Sequence, residues 1–367
     1  MTLKSIILTD VRTYGKNHFS FSPGVTVIVG DNAIGKTNII ESIWYLATGK
    51  GFRGDSDQDL IMWKKEIAHL KAIVHTQDEN QTLEAVITHG SMHGMKTSIK
   101  RFFLNKVPKR NIDFSGIVKT VLFWPNDLEL VIDSPSIRRK YLDHVLSATD
   151  REYRRNLISY ERGLRQRNKV LQDIFDGRAK RSHLLFWDQL LINAGSYITE
   201  KRNDYLTFIN DSVFPSVEYK TSYDKSIISE SRLEQYKNEE ISARATLVGP
   251  HRDDFFVLKN FRGPDTSMDV SRFGSRGEQR LAVLWLKLAE LAFIEEKTGE
   301  RPILLLDDIF SELDDISRSI VFSVLPKQQS IITSADEGVL SLIEHHIPKK
   351  DIKIIKLPIH EHEEKES

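Results

Sequence analysis

Residues 25–49 read VTVIVGDNAIGKTNIIESIWYLATG, and no other stretch narrows the possible folds as much. Gly30-Asp31-Asn32-Ala33-Ile34-Gly35-Lys36-Thr37 fits the phosphate-loop pattern G-x-x-x-x-G-K-[ST]. Val25, Val27, Ile28 and Val29 before it predict a short buried strand. Ile39, Ile40, Ile43, Trp44 and Leu46 after it recur at helical spacing, and Gly49 is a suitable stop. A strand, a glycine loop and a helix in that order aim bare backbone N–H groups and a helix N-terminus at a polyphosphate. Lys36 would reach the β- and γ-phosphates, and Thr37 would hold Mg²⁺ through its hydroxyl. An ordinary glycine turn before a helix would show the same string, so the rest of the chain has to decide.

Two later stretches bear on that choice. Pro302 to Asp308 reads PILLLDD, which predicts a buried strand with two carboxylates at its end. Buried carboxylates are costly unless paired or beside a cation. Asp307 would support the metal, and Asp308 would orient or deprotonate an attacking water. Ser311-Glu312-Leu313-Asp314 follows, then a strand over Ser330 to Ser334. Upstream, SRFGSRGEQR (Ser271 to Arg280) leads into a strong helix marked by Leu281, Leu284, Trp285, Leu288, Leu291 and Ala292. Ser275 and Glu278 predict a capping box. Ser275, Gly277 and Gln279 at the same helix start form an anion-binding arrangement, and one set of donors can serve both.

The first third is otherwise β-rich. Strands are expected over Leu3 to Asp10, from Phe19, over Ala68 to Val74, Thr82 to Thr88 and Lys96 to Leu104. Turns are expected at Tyr14-Gly15-Lys16, at Ser22-Pro23-Gly24 and at Asn105 to Pro108. Arg12 is either a surface residue or a phosphate contact. From Ser136 to about Ile209 the pattern is helical, with Gly163, Gly177 and Gly195 expected to break the helices. There Arg138, Arg139, Lys140, Arg151, Arg154, Arg155, Arg162, Arg165, Arg167, Lys169, Arg178, Lys180 and Arg181 outnumber nearby carboxylates. They form either a solvated face or a surface tracking the phosphates of duplex DNA. Lys plus Arg and Asp plus Glu are both 52, so any basic surface has to be local. Near 243 the β pattern returns, and Leu247 to Asp254 (LVGPHRDD) reads as a structural turn more than a metal site around His251. No cysteine occurs among the 367 residues, which suits a reducing cytoplasm. No apolar run reaches membrane-spanning length, no signal peptide is visible, and Ile359 to Ser367 reads as a solvated tail.

The order of these motifs resembles the ABC-type ATPase heads of the chromosome-maintenance and DNA-repair group, and within it the RecF family. The resembling strings are GDNAIGKTNIIESI (Gly30 to Ile43), LFWPNDLELV (Leu122 to Val131), SPSIRRKYLD (Ser134 to Asp143), YERGLRQRNKVL (Tyr160 to Leu171), GPHRDD (Gly249 to Asp254), SRGEQR (Ser275 to Arg280) and LLLDDIFSELD (Leu304 to Asp314). The resemblance implies an α/β P-loop ABC-type ATPase head with an inserted, mainly helical second lobe. The expected division is 1–125 and 244–367 for the ATPase lobe and 126–243 for the insertion. It further implies ATP and Mg²⁺ held between two subunits of an ATP-dependent homodimer. Lys36 and Thr37 would face the nucleotide from one subunit; Ser275, Gly277 and Gln279 would close on the γ-phosphate from the other, with Ser311 to Asp314 joining the sites. Thr333 would stand where transporter-type heads carry a switch histidine. Implied partners are duplex or gapped DNA and the mediator proteins RecR and RecO, in recombinational repair and replication-gap processing with slow ATP hydrolysis as a switch. An ABC-type transporter ATPase subunit, a non-hydrolysing ATP-gated DNA scaffold and a DNA-processing nuclease are the alternatives. The chain departs from the family at the fourth loop position, where Ala33 replaces a common glycine and would be strained at positive φ. It departs again at Asn126, where the family usually has glutamate.

Overall fold

The computed structural model describes residues 1–54, 56–76, 79–92, 94–212, 219–260 and 267–358. The chain divides into two compact units, Met1–Pro125 with Ile294–Ser367, and Asn126–Phe293. The expected tail, 359–367, lies outside the described residues.

The first unit opens with β1 (Thr2–Val11), β2 (Tyr14–Ser20), β3 (Val25–Val29) and α1 (Lys36–Thr48). The β1–β2 turn falls on Arg12-Thr13, earlier than expected, because Val11 pairs with Tyr14 and Thr9 with Lys16, which draws Gly15 into the ladder. Arg12 itself takes φ 51. Then come β4 (Ile67–His75), β5 (Asn80–Thr88), a small hairpin of β6 (Ser91–Met92) and β7 (Met95–Lys96), β8 (Lys100–Leu104) and β9 (Val107–Lys109). The strand expected from Lys96 is thus divided between that hairpin and β8. Leu104 pairs with Val107, leaving Asn105 and Lys106, at φ 50 and 66, as a two-residue turn. Pro108 sits on the edge strand β9, where a missing N–H is tolerated. After α2 (Asn111–Phe114) and β10 (Thr120–Phe123) the chain leaves this unit.

The second unit holds α3 (Glu129–Ile132), α4 (Pro135–Thr149), α5 (Arg151–Phe175), α6 (Leu185–Asp211), β11 (Tyr219–Asp224), α7 (Glu230–Gln235), α8 (Lys237–Ala243), β12 (Asp254–Asn260), β13 (Ser267–Asp269) and α9 (Val270–Phe273). Strands β11, β12 and β13 form one antiparallel sheet. Helix α10 (Arg276–Thr298) carries the chain across the boundary. The packing boundary lies at Phe293/Ile294, well beyond 243/244, because Val248, Phe255, Val257, Val270 and much of α10 share one apolar core with α4, α5 and α6. Gly163 and Gly195 do not break helices. They lie inside α5 and α6, where a Cβ at Gly163 would stand 2.6 Å from a Leu190 methyl and one at Gly195 2.7 Å from an Ile228 methyl. Close packing, not a break, requires glycine at both positions. Gly177, at φ 74, does follow the end of α5.

The chain finishes in the first unit with β14 (Ile303–Asp307), α11 (Asp315–Val324), β15 (Ser330–Ser334), α12 (Gly338–His346) and β16 (Ile352–Lys356). Two sheets result: β2-β1-β4-β5-β8-β9, antiparallel, and β10-β14-β15-β3-β16, all parallel. Strands β3, β14 and β15 are buried at every residue, the hydroxyl residues Thr26, Ser330, Thr333 and Ser334 included, as strands of a covered parallel sheet should be. Helix α1 packs against both sheets, and its Ile39, Ile40, Ile43, Tyr45, Leu46 and Ala47 are all buried. A helix apolar on nearly every side belongs in such a position, which holds its N-terminus rigidly.

Candidate functional site

Strand β3 ends at Val29, and the loop from Gly30 to Gly35 leads into α1. Asp31, Asn32 and Ala33 are exposed, whereas Ile34, Gly35 and Lys36 are buried. Gly35 caps α1 at φ 110 without any side-chain hydrogen bond, and the first turn of the helix holds no acidic residue. An uncapped helix start of this kind leaves backbone donors and a positive dipole end available to an anion. Glycine is needed at 35 twice over: its φ is positive, and a Cβ would stand 2.8 Å from the Tyr14 hydroxyl. Lys36 Nζ donates to the carbonyls of Gly30, at 2.6 Å, and Asp31, at 2.8 Å, so its charge is folded onto the loop itself. Ala33 takes φ 65, the strained left-handed region that the sequence flagged for an alanine.

Three side chains meet beyond the loop. Asp307 ends β14, buried; its Oδ1 accepts from Thr37 Oγ1 at 3.0 Å and from Thr333 Oγ1 at 2.7 Å. The register of β14 beside β15 sets Asp307 opposite Thr333. Burial raises the Asp307 carboxyl above its ordinary range, and the two hydroxyl donors oppose that only in part. A buried carboxylate beside a threonine hydroxyl is an oxygen donor pair suited to a hard divalent cation, so the residues fit Mg²⁺. Asp308 turns to φ 51, with its N–H bonded to Thr333 and its Oδ1 3.4 Å from the Ala335 amide nitrogen. Ser311 Oγ donates to the Asp308 carbonyl at 3.0 Å.

Glu41 escaped the sequence analysis. It is fully buried on α1, and both of its oxygens are engaged by Arg12, with Nε at 3.0 Å from Oε2 and Nη2 at 3.2 Å from Oε1. Arg53 adds an Nη2 contact to Oε2 at 2.6 Å and a backbone N–H to Oε1 at 3.3 Å. One carboxylate therefore holds two half-exposed arginines beside the phosphate-loop helix. The available signal was an acidic residue amid the apolar face of α1.

Ser275, Gly277 and Gln279 belong to the second unit, at the start of α10. The capping box is present: Glu278 Oε2 accepts from the Ser275 N–H at 2.8 Å, and Ser275 Oγ accepts from the Glu278 N–H at 3.3 Å. Ser275, Arg276 and Gly277 are exposed, and Gln279 Nε2 donates to the carbonyls of Val270 and Ser271.

The basic helices sort into two sets. Arg138 makes a two-pronged contact with Asp254, Arg167 bonds Asp188, Glu240 and Thr246, and Arg178 and Arg181 pair with Asp173, Asp176 and Glu234. Arg151, Arg155, Arg162, Arg165 and Lys169 are exposed, and at about 100° per residue they share one stripe of α5. LVGPHRDD folds as a structural turn. His251 Nε2 lies 3.0 Å from the Thr246 carbonyl, so it carries the proton; Nδ1 accepts from the Tyr160 hydroxyl at 2.8 Å. Burial pushes this imidazole down to about 4, which keeps it neutral.

A family model described as the RecF/RecN/SMC N-terminal domain matches residues 2–350. The DNA replication and repair protein RecF of Lachnoclostridium phytofermentans is 34% identical over 345 residues, covering 91% of this chain and 92% of that one. The chain belongs to the RecF family. RecF of Clostridium botulinum strain Alaska E43 is 36% identical over 352 residues, with coverage of 91% and 92%. Among solved structures, the recombination mediator protein RecF-ATP in the RecFOR pathway matches with a TM-score of 0.82 at 31% identity, covering 91% of this chain and 92% of that chain. An Smc head bound to the C-winged helix domain of ScpA, at TM-score 0.50 and 14% identity over 96% and 93% of the two chains, shares the fold. The fold is thus an α/β P-loop head of the ABC type, its first unit built on one antiparallel and one parallel sheet. No helix among the described residues is long and apolar enough to cross a membrane.

Proposed function

We propose that this RecF-family chain binds ATP with Mg²⁺ on the Gly30–Thr37 loop and serves DNA repair as a slow, ATP-driven switch. The observation that carries it is the Thr37–Asp307–Thr333 contact beside an uncapped helix start with a retracted lysine. Lys36 would leave two backbone carbonyls for the phosphates, gaining a charged partner for two neutral ones. Thr37 and Asp307 would hold Mg²⁺, which supplies positive charge to the β- and γ-phosphate oxygens. The loop residues Asp31, Asn32, Ala33 and Ile34 would offer backbone N–H groups, and Asp308 would orient the attacking water.

Ser275, Gly277 and Gln279 of a second copy would close over the γ-phosphate, so that ATP drives homodimerisation. The exposure of Ser275 and Gly277 supports this, since an exposed helix start suits an incoming anion. The α5 stripe from Arg151 to Lys169 supports a duplex or gapped DNA partner. At 1.5 Å per residue it runs about 27 Å, enough to follow several phosphates. RecR and RecO are the proposed protein partners, recombinase loading on gapped DNA the proposed outcome, and the cytoplasm the proposed location. Residues 244–293, although packed with the helical unit, would act with the ATPase lobe through Ser275 to Gln279.

Light scattering with labelled duplex DNA tests this. Asp308→Asn should double in mass with Mg-ATP and retain DNA, whereas Lys36→Ala and Ser275→Arg should remain monomeric. Lys36→Ala should also bind ATP at least tenfold more weakly. An Asp308→Asn protein that binds ATP yet stays monomeric defeats the role given to Ser275; one that dimerises and ignores DNA at low salt defeats the repair role.

A further inference from the structure

The second unit carries a groove of about 320 Å³ walled by α5, α6, α7, α8 and the turn Arg181–Leu184. Its floor is apolar: Leu171, Leu184 and Leu233 are buried and Ile192 is half-buried. At its lip Leu185 is 68% exposed. Phe186, next in the chain, is 67% exposed and rests edge-on against Trp187. Single exposed apolar side chains need no explanation, but adjoining ones at the mouth of an apolar groove mark an interaction site. The walls are pinned to one another. Buried Arg167 bonds Asp188 on α6 and Glu240 on α8, each at 2.7 Å, and Arg181 bonds Glu234 on α7 at 2.7 Å. The groove is therefore preformed, which spares an occupant the cost of ordering it.

Shape and charge define what fits. Every wall is helical, so its backbone N–H and C=O groups are largely spent within the walls themselves. An occupant finds no strand edge to pair with and has to satisfy its own backbone, as a helix does. The volume takes roughly two leucine-sized side chains, the pair that a helix presents three or four residues apart. Asp188, Glu230, Glu234 and Glu240 line the groove against Arg167, Arg181 and Lys237, so carboxylates outnumber cations. The cations are consumed: Arg167 by Asp188 and Glu240, and Arg181 and Lys237 by Glu234. Glu230 is exposed and makes no ion pair among the described residues. At about 100° per residue, Arg167 and Leu171 face the side of α5 opposite to the stripe of Arg151, Arg155, Arg162, Arg165 and Lys169.

We propose that this groove docks an amphipathic helix of another protein, one that presents two apolar side chains at i and i+3 or i+4 and flanks them with Lys or Arg. A partner held there leaves the basic stripe of α5 open to DNA.

The test is a selection on the full chain from displayed peptides of about 16 residues, long enough to form a helix. Their apolar positions recur at helical spacing and the other positions vary freely. Recovered peptides should carry more Lys and Arg than Asp and Glu. Made singly and labelled, they should bind about tenfold or more weakly to Leu185→Asp, which charges the lip, and to Gln189→Trp, which fills the groove. Leu185 and Gln189 are exposed, so both variants should keep the wild-type melting temperature. Glu230→Lys should erase the preference for basic peptides, and duplex DNA should not displace a bound one. Selection of acidic peptides, or of none, overturns the proposal. So does equal binding to wild type and both groove variants, and so does displacement by duplex DNA, which would place the peptides on the stripe.

Discussion

The phosphate loop and the GPHRDD turn are equally dense polar strings, yet their surroundings are opposite. In the first unit, among the described residues, Lys36 touches two backbone carbonyls, α1 begins without a side-chain cap, and Asp307 has two hydroxyl donors. In the second, Asp253 accepts from Arg202 at 3.0 Å, from the Ser226 N–H at 2.7 Å and from the Tyr223 hydroxyl. Arg202 also reaches the Pro250 carbonyl, Asp143 and the Tyr153 hydroxyl. A polar group left short of partners is poised for a ligand; one fully bonded in a dry core locks an architecture. Two of the strings that carry the family resemblance, RQRN and GPHRDD, contribute to the second class through Arg167 and Asp253, both buried.

Breaking a saturated knot should have the largest effect. Arg202→Ala leaves Asp253 buried and Asp143 half-buried without their cation and should destabilise the chain by about 3–5 kcal/mol in urea denaturation. Lys36→Ala, truncating a charge of the same sign at the loop, should cost no more than about 1.5 kcal/mol in the same measurement, since only neutral carbonyls lose a partner. Comparable losses would erase the distinction between the two regions.

An intermediate case sharpens it. Glu290 is fully buried in the second unit, 3.7 Å from Lys287, which is closer to Asp127 at 3.1 Å. Burial pushes the Glu290 carboxyl up to about 7, against the pull of Lys287. A carboxyl raised in the folded state favours folding most below its unfolded value of 4.5, and that stability is lost as pH rises through about 7. Glu290→Gln should remove a decline of roughly 1–3 kcal/mol between those limits. A wild-type stability that is flat over that range would show Glu290 to be satisfied like its neighbours.

The smallest effect belongs to Ala33. Relief of its positive φ should outweigh the added chain entropy of glycine, so Ala33→Gly should stabilise by about 0.5–1 kcal/mol in thermal denaturation. A loss of stability would mean that the alanine methyl packs usefully and that the loop is not strained there.

Much of this was legible in the chain. Val25 to Val29, Ile303 to Leu306 and Ser330 to Ser334 announced themselves as buried strands, and the capping box at Ser275 and Glu278 formed as its spacing implied. Periodicity and capping depend on neighbours a few residues away, so a linear string records them. The turn at Arg12-Thr13 was missed because a glycine two residues on gave a stronger local signal than the pairing register that prevailed. Gly163 and Gly195 were read as breaks because only the packed helices show what would occupy the space of a Cβ.

The sequence by itself determined the strand–loop–helix around Lys36, the carboxylates at the end of β14 and the family. Tertiary structure alone decided which charges are consumed. Glu41 with Arg12 and Arg53, Arg138 with Asp254, and Arg202 with Asp143 and Asp253 are partners separated by 12 to 116 positions. Charge pairing depends on distance in space and on burial, and neither is written in local order.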